Sequence, residues 1–221
     1  MVKLVVKAFQ LLLGLNVVFF YGSVSAAENL GNAAEIIRPA IDYRLVPPRQ
    51  IDQVTDLTQL QKVADIEIFY WYGCADCLKV ENQLDEYLAK FPELTVKRTP
   101  LVAFPAWRAQ AYIQPLLAQL EGKVQTPSKQ EIYRQCIEDC SFFESYESTL
   151  AWLKAKYQIN QMPTINEADI WRAEKKFRER AESFSISQVP TIIIREQYIT
   201  DANAAKTTQR LIAIVDHLLN Q

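Results

Sequence analysis

The 221-residue sequence has one histidine, His217, and only five glycines. A single histidine excludes sites that need two imidazoles, and scarce glycine argues against the glycine-rich loops that bind phosphate. The sequence also lacks an excess of charge of one sign, because its 24 Lys and Arg residues nearly balance its 26 Asp and Glu residues. The chain therefore lacks the bulk positive charge of a nucleic-acid-binding protein, and we predict no nucleic-acid partner. Since 49% of its residues are hydrophobic, it can bury a core, and four cysteines in two close pairs remain for chemistry.

The first 26 residues have the composition of a cleavable signal peptide. Lys3 and Lys7 make the N-terminus positive, and a mostly apolar run follows over 8–21. The segment ends with small residues, up to Ala26, at the positions that a signal peptidase recognises. Cleavage after Ala26 removes two of the 24 cationic residues and none of the 26 anionic ones, so the net charge changes from −2 to −4. The alternative is an uncleaved membrane anchor, although the apolar run is short for a span of about 17–25 residues. We predict a periplasmic or otherwise exported protein, in a compartment where disulfides form.

Apolar periodicity predicts strands near both ends of the mature chain and helices between them. Strands are predicted over 41–46, 66–72, 94–98, 191–195 and 198–199, and helices over 74–91, 106–120, 128–136, 146–157, 166–184 and 207–219. Strands separated by helices pair in parallel, whereas the last two form an antiparallel hairpin. We therefore expect an α/β fold, a mixed central sheet flanked by helices with an inserted all-helical subdomain. The predicted division is a signal peptide at 1–26, a lead-in at 27–40, the sheet-containing domain at 41–100 and 186–221, and the helical insertion at 101–185.

The first cysteine pair, Cys74 and Cys77, lies where a predicted buried strand turns into an amphipathic helix. Its spacing is compatible with a structural disulfide, with half of a zinc site, or with a redox-active dithiol. The position favours the dithiol, because Cys74 at the helix start faces unpaired N–H groups and the positive end of the helix dipole. Both stabilise a thiolate, which is the attacking species in thiol–disulfide exchange. Cys77, one turn later, is placed to resolve a mixed disulfide.

The run Phe-Tyr-Trp-Tyr-Gly-Cys-x-x-Cys at 69–77 resembles the active-site strand and turn of DsbA-like thiol–disulfide oxidoreductases of the thioredoxin superfamily. A second run, Ser-Gln-Val-Pro-Thr at 187–191, resembles the cis-proline loop of that family. The resemblance extends from about residue 41 onward and implies a thioredoxin-like fold with a helical insertion. It also implies that Cys74 and Cys77 are catalytic, and that a cis bond between Val189 and Pro190 shapes the peptide-binding face.

The resemblance further implies what the protein works with. Its substrates would be unfolded or thiol-containing exported proteins, and a DsbB-like or DsbD-like membrane partner would reoxidise or reduce the cysteine pair. No metal or organic cofactor is expected beyond the Cys74–Cys77 disulfide, and a monomer is favoured. Trp71 and Tyr72 are candidates for substrate contact, with core packing as the alternative. A disulfide reductase or isomerase of narrower substrate range, and a non-catalytic peptide-binding or chaperone module with a structural Cys74–Cys77 bridge, stay open.

The sequence departs from the family pattern at two places. The dipeptide between the cysteines is typically Pro-His in the family, whereas this chain has Ala75 and Asp76. The anionic Asp76 disfavours a thiolate at Cys74, so we expect a raised pKa and a less oxidising disulfide. The family's buried glutamate, six residues before the first cysteine, is Ile68 here. Glu67 is one residue away, and a one-residue shift in a strand points a side chain to the opposite face.

The second cysteine pair, Cys136 and Cys140, lies in the helical block. Cysteines four residues apart in a continuous helix have poor disulfide geometry, whereas a helix end can accommodate a bridge. We predict a structural disulfide, with a second redox couple, free thiols, or a four-cysteine zinc site shared with the first pair as alternatives. For His217, in the last turn of the C-terminal helix, we predict a capping or surface role.

Overall fold

The computed structural model describes residues 36–47, 63–108, 110–120, 125–159 and 166–221. The predicted signal peptide, its cleavage position, and residues 27–35 of the lead-in lie outside the described residues. The strands are β1 (Arg44–Leu45), β2 (Ile66–Tyr70), β3 (Val96–Pro100), β4 (Thr191–Ile194) and β5 (Tyr198–Asp201). The helices are α1 (Ala75–Leu88), α2 (Gln110–Leu120), α3 (Lys129–Glu138), α4 (Tyr146–Tyr157), α5 (Glu167–Ser183), α6 (Ala202–Ala205) and α7 (Thr208–Leu219).

The five strands form one mixed sheet in the order β1-β5-β4-β2-β3. β2 and β3 are parallel, whereas the β2–β4, β4–β5 and β1–β5 pairs are antiparallel. The parallel pair is joined through α1, and the β4–β5 hairpin closes across a short turn, as strand spacing in the sequence predicts. The parallel pairing predicted for strands separated by helices is wrong for β2 and β4, which are antiparallel although helices lie between them in the chain. The predicted α/β class, with a thioredoxin-like mixed sheet, is confirmed.

The side chains of β2 alternate between two separate parts of the core. Ile66 and Ile68 face α1 and α7, where they pack in a cluster with residues such as Leu84 of α1. Phe69 faces the other side and packs with Phe184, the residue that follows α5. Because both faces are covered, all five residues of β2 are buried, which explains the nearly continuous apolar run.

Between β3 and β4 the described chain is helical. It contains α2 to α5 and two short 3-10 turns, Pro105–Trp107 and Ser141–Phe143. Aromatic and aliphatic residues of α2, α3 and α4 form clusters of their own next to the active-site end of α1. Among the described helices, none combines the length and the hydropathy needed to cross a membrane.

Several element boundaries differ from the prediction because local turns end the regular structure earlier. The strand predicted to reach residue 72 ends at Tyr70, since the chain turns and the Cys74 N–H donates to the Trp71 carbonyl (3.0 Å). The helix predicted over 74–91 begins at Ala75 and ends at Leu88. The strand predicted over 41–46 has only two residues, because it pairs with β5 alone at the edge of the sheet.

Candidate active site

The turn before the cysteine pair leaves no room for a side chain at Gly73. A Cβ atom there would overlap Cζ2 of Trp71, so a larger residue would displace the indole ring. That ring stacks on Trp107 with 4.6 Å between ring centroids, and Trp107 contacts Phe104 edge to face. Gly73 therefore allows the aromatic ring of Trp71 to pack directly over the turn that leads to Cys74.

Cys74 is the N-cap residue of α1. Its Sγ atom accepts the backbone N–H of Cys77 (3.1 Å), as an N-cap side chain does. A hydrogen bond from the Cys77 thiol, supported by this N–H, holds the pKa of Cys74 below its ordinary value. Burial and the charge of Asp76 act in the opposite direction. The predicted effect of Asp76, which is to raise the pKa of Cys74, is therefore present, and the hydrogen bonds outweigh it.

Asp76 is largely exposed, and its charge is partly compensated. Its Oδ1 atom forms an ion pair with Nζ of Lys79, one helical turn later, at 2.9 Å. This cation reduces the repulsion that Asp76 exerts on a thiolate at Cys74. Spacing of three residues on a helix surface is sufficient for such a pair, so the contact was available to sequence reasoning.

Cys77 has a different environment from Cys74. Both cysteines are thiols in this structure, but Cys77 is completely buried, whereas Cys74 is partly exposed. Burial, together with the hydrogen bond to Cys74, raises the pKa of Cys77 far above its ordinary value. Of the two sulfurs, only Cys74 therefore combines access with a favoured thiolate, which is what a nucleophile in thiol–disulfide exchange requires.

The loop before β4 packs against the cysteine pair. The Val189–Pro190 peptide bond is cis. Val189 is half-buried and contacts the apolar cluster that contains Tyr72 and Cys77 and against which Cys74 packs. The loop is also held by a backbone hydrogen bond, because the Pro190 carbonyl accepts the N–H of Ala202 (3.2 Å).

The two aromatic candidates for substrate contact lie in different environments. Tyr72 is buried and packs against Tyr133 and Phe143, with ring centroids 4.8 and 5.8 Å apart. It belongs to the core, so the packing alternative describes Tyr72 better than substrate contact does. Trp71 is partly exposed and lines a surface groove.

The second cysteine pair is joined as a disulfide between Cys136 and Cys140. Helix α3 ends at Glu138, and Cys140 begins the 3-10 turn Ser141–Phe143, so the bridge spans a helix end. Cys136 belongs to the same apolar cluster as Cys77. In the described part of the chain, no group of three or more His, Cys, Asp or Glu residues has metal-site geometry.

Sequence reasoning missed a buried polar site beside Cys77. Glu81, one turn further along α1, is buried and forms ion pairs with Arg98 (3.0 Å) and Lys129 (2.6 Å). A cavity of about 140 Å³ adjoins it, lined in addition by tyrosines that include Tyr133, whose buried hydroxyl has no described partner. Spacing gave a signal for Glu81, because a residue four positions after Cys77 lies on the same helix face.

Glu67 and Ile68 lie on opposite faces of β2, as strand alternation requires. Ile68 is in the core beneath α1, whereas Glu67 is buried on the other face, where Thr99 Oγ1 donates to it (2.6 Å). Burial alone would raise the pKa of Glu67, but hydrogen bonds from Arg180 and Thr99 lower it below its ordinary value.

No family model matches the chain. The thiol:disulfide interchange protein DsbA of Azotobacter vinelandii is 24% identical over 201 residues, which cover 87% of this chain and 90% of that protein. The protein of the same name from Pseudomonas syringae pv. tomato is 23% identical over 168 residues, which cover 72% of this chain and 75% of that protein.

Solved structures show the same similarity. The crystal structure of Pseudomonas aeruginosa DsbA has a TM-score of 0.61 at 15% identity and covers 83% of this chain and 93% of that one. The crystal structure of DsbA from Xylella fastidiosa has a TM-score of 0.57 at 17% identity and covers 81% of this chain and 94% of that one. The arrangement of sheet, active-site helix and helical insertion is therefore shared with these proteins.

Proposed function

We propose that this chain is a DsbA-like thiol–disulfide oxidoreductase of the thioredoxin superfamily, and that it forms disulfide bonds in exported proteins through Cys74 and Cys77. The observation that carries the proposal is the asymmetry of the pair. Cys74 caps α1, is accessible, and has a lowered pKa, whereas Cys77 is buried and has a raised pKa. This asymmetry assigns attack to one sulfur and resolution to the other.

In the oxidised protein, a substrate thiolate attacks Sγ of Cys74, and the Cys74–Cys77 bond breaks. The electron pair goes to Cys77, which takes up a proton because burial disfavours its thiolate. A second substrate thiolate then attacks the substrate sulfur of the mixed disulfide. The substrate leaves with a disulfide, and Cys74 leaves as a thiolate that the N–H of Cys77 stabilises. Two substrate thiols are oxidised and one protein disulfide is reduced, so electrons balance.

Val189 and Pro190 form the substrate-facing edge of the site in this proposal. We propose that the backbone of Val189, which is half-buried beside the cysteine cluster, pairs with an extended substrate peptide. Trp71, in the turn before Cys74, contributes an apolar surface that lines a groove. The Cys136–Cys140 disulfide has a structural role, because it joins the end of α3 to the following turn.

A typical DsbA has a reduction potential of about −120 mV. We infer that the disulfide of this chain is less oxidising than that. Asp76 stands where the family has a histidine, and its charge opposes the thiolate of Cys74. Lys79 weakens this effect without reversing it. Ala75, as the other residue between the cysteines, completes a dipeptide that differs from the family's Pro-His.

The proposed location is the periplasm or another exported compartment, after cleavage behind Ala26. The substrates are unfolded or thiol-containing exported proteins. A DsbB-like or DsbD-like membrane protein restores the redox state of the pair, and the disulfide itself serves in place of a cofactor. We propose a monomer as the working form.

The test is a trapping experiment in the compartment in which the protein is expressed. In Cys77→Ala, Cys74 can still attack a disulfide of a substrate or of the membrane partner, but no second cysteine can displace the bound protein from the mixed disulfide. Covalent complexes with both should therefore accumulate, whereas Cys74→Ala should trap none. Purified wild-type protein should oxidise reduced ribonuclease. The reduction potential of its Cys74–Cys77 disulfide should be more negative than about −120 mV. An absence of turnover in both ribonuclease oxidation and insulin reduction would show a binding module instead.

A further inference from the structure

A groove of about 520 Å³ opens beside the turn that leads to the reactive cysteine. One wall consists of Trp71 and the start of the 3-10 turn at Pro105. The other wall is the segment after α3, from Asp139 to Glu144. The groove lies close to the reactive cysteine in the chain, because Trp71 in its wall accepts the N–H of Cys74 through its carbonyl. An extended peptide advances about 3.3 Å per residue, so residues near a substrate cysteine reach it within a few positions.

The walls of this groove, called here the Trp71 groove, are aromatic and firmly packed. Trp71 is supported from behind by its stacking on Trp107, with ring planes inclined by 14°. Across from it, Phe143 is held by Phe142 and Tyr72, with ring centroids 4.3 and 5.8 Å away. Such preformed apolar walls accept an apolar side chain without first losing conformational freedom.

The rim of the Trp71 groove is anionic. Asp139 and Glu144 are both exposed, and no lysine or arginine is among its described lining residues. The backbone N–H and hydroxyl of Ser141 lower the pKa of Asp139, so its carboxylate stays charged. Arg108, which lies shortly after Pro105 in the sequence, is engaged with the buried Glu174 (3.0 Å). The negative charge of the rim therefore has no cation among these residues to balance it.

We propose that the Trp71 groove selects substrate segments in which an apolar residue and a lysine or arginine lie within a few residues of the reacting cysteine. The apolar side chain fits between Trp71 and Phe143, and the cation meets Asp139 and Glu144. The proposal rests on the function proposed above, and it names the substrate class that the site prefers. A second copy of this chain is a poorer occupant, because the chain itself has a net charge of −2.

The test compares two reduced peptides, each with two cysteines and one leucine near the first cysteine. They differ only in the two flanking positions, which are lysine in one peptide and glutamate in the other. With the oxidised full-length protein at low salt, the lysine peptide should be oxidised about tenfold faster. The ratio should shrink as salt is added, because exposed charges are screened.

Variants of the rim locate the effect. Glu144→Gln should reduce the ratio between the peptides about threefold, and Glu144→Lys should bring it close to one. Glu86→Gln, which removes an exposed carboxylate of α1 outside the groove, should leave the ratio unchanged. Equal rates for the two peptides, or a ratio that survives Glu144→Lys, would overturn the groove proposal while leaving oxidation by Cys74 and Cys77 intact. A wild-type protein that oxidises neither peptide would overturn the proposed function itself.

Discussion

Arg180 of α5 binds both carboxylate oxygens of Glu67 in β2 through its Nε atom, at 3.1 and 3.0 Å. The pair connects the last helix of the helical block to the sheet face opposite α1. Glu67 is buried and also contacts Nζ of Lys97 at 3.0 Å. Removing one partner of a buried ion pair leaves an uncompensated charge, which costs more than the pair itself contributes.

We expect Arg180→Met to lower the free energy of unfolding by about 2–4 kcal/mol, because Lys97 compensates Glu67 only in part. Chemical denaturation measures this change. Lys176→Met, which removes an exposed cation from the same helix, should alter stability by less than about 0.5 kcal/mol. If both variants unfold at the same denaturant concentration, the Arg180–Glu67 pair contributes no more to the free energy of unfolding than an exposed lysine does.

The same pair should contribute to acid sensitivity. Burial is the largest influence on the pKa of Glu67 and raises it, but Arg180 and Thr99 bring the net value below the ordinary one. A carboxyl group with a lowered folded pKa stabilises the protein above its unfolded pKa, about 4.3, and this contribution disappears as the pH falls through the folded value. The stability difference between wild type and Arg180→Met should therefore be largest at neutral pH and shrink below about pH 4. A difference that stays constant down to pH 3 would contradict this.

Asp76 and Lys79 should tune Cys74 in opposite directions. Asp76→Asn removes the charge that opposes the thiolate, so the pKa of Cys74 should fall and the disulfide should become more oxidising. Lys79→Met leaves Asp76 uncompensated, so the pKa of Cys74 should rise. The equilibrium constant with glutathione should change about two- to fivefold in each case. Thiolate absorbance as a function of pH measures the pKa of Cys74 directly. If that pKa shifts in the same direction in both variants, Lys79 does not compensate the charge of Asp76.

Gly73→Ala should displace the Trp71 side chain rather than change the backbone of the turn. The new Cβ overlaps the indole of Trp71, so the ring must leave its stacked position on Trp107. Overpacking of this kind costs about 1–3 kcal/mol. We expect lower thermal stability and altered tryptophan fluorescence, with the cysteine pair still able to form its disulfide. Unchanged fluorescence would mean that the backbone of the turn moves and the Trp71 ring stays stacked on Trp107.

Replacement of Cys136 and Cys140 by serine tests the structural role of the second disulfide. The bridge closes a loop of only five residues, so the chain-entropy argument gives about 2 kcal/mol of stabilisation. Denaturation should show a loss of this size, while Cys74 and Cys77 continue to oxidise a small dithiol peptide. Loss of that oxidation in a protein that remains folded would instead favour a second redox couple.

Local patterns in the sequence were sufficient to predict the order of the strands and of the longer helices and the place of the reactive pair, although they missed the four-residue helix α6. Apolar alternation in β2 and the 3.6-residue period of α1 put Cys74 at the start of the active-site helix, and the structure has it there as the N-cap. Strand alternation likewise separated Glu67 from Ile68. These features depend on neighbours within about one helical turn or a few strand residues, so they are encoded in adjacent positions.

Contacts between distant segments were decided only by the tertiary structure. The sequence by itself did not pair Glu67 with Arg180, which lie 113 positions apart, or place Glu81 against Lys129, 48 positions away. The charge of Asp76, which raises the pKa of Cys74, is visible in the sequence, whereas the hydrogen bonds that bring the net pKa below its ordinary value are not. Electrostatic effects depend on distance and burial, and for residues far apart in the chain both are set by folding.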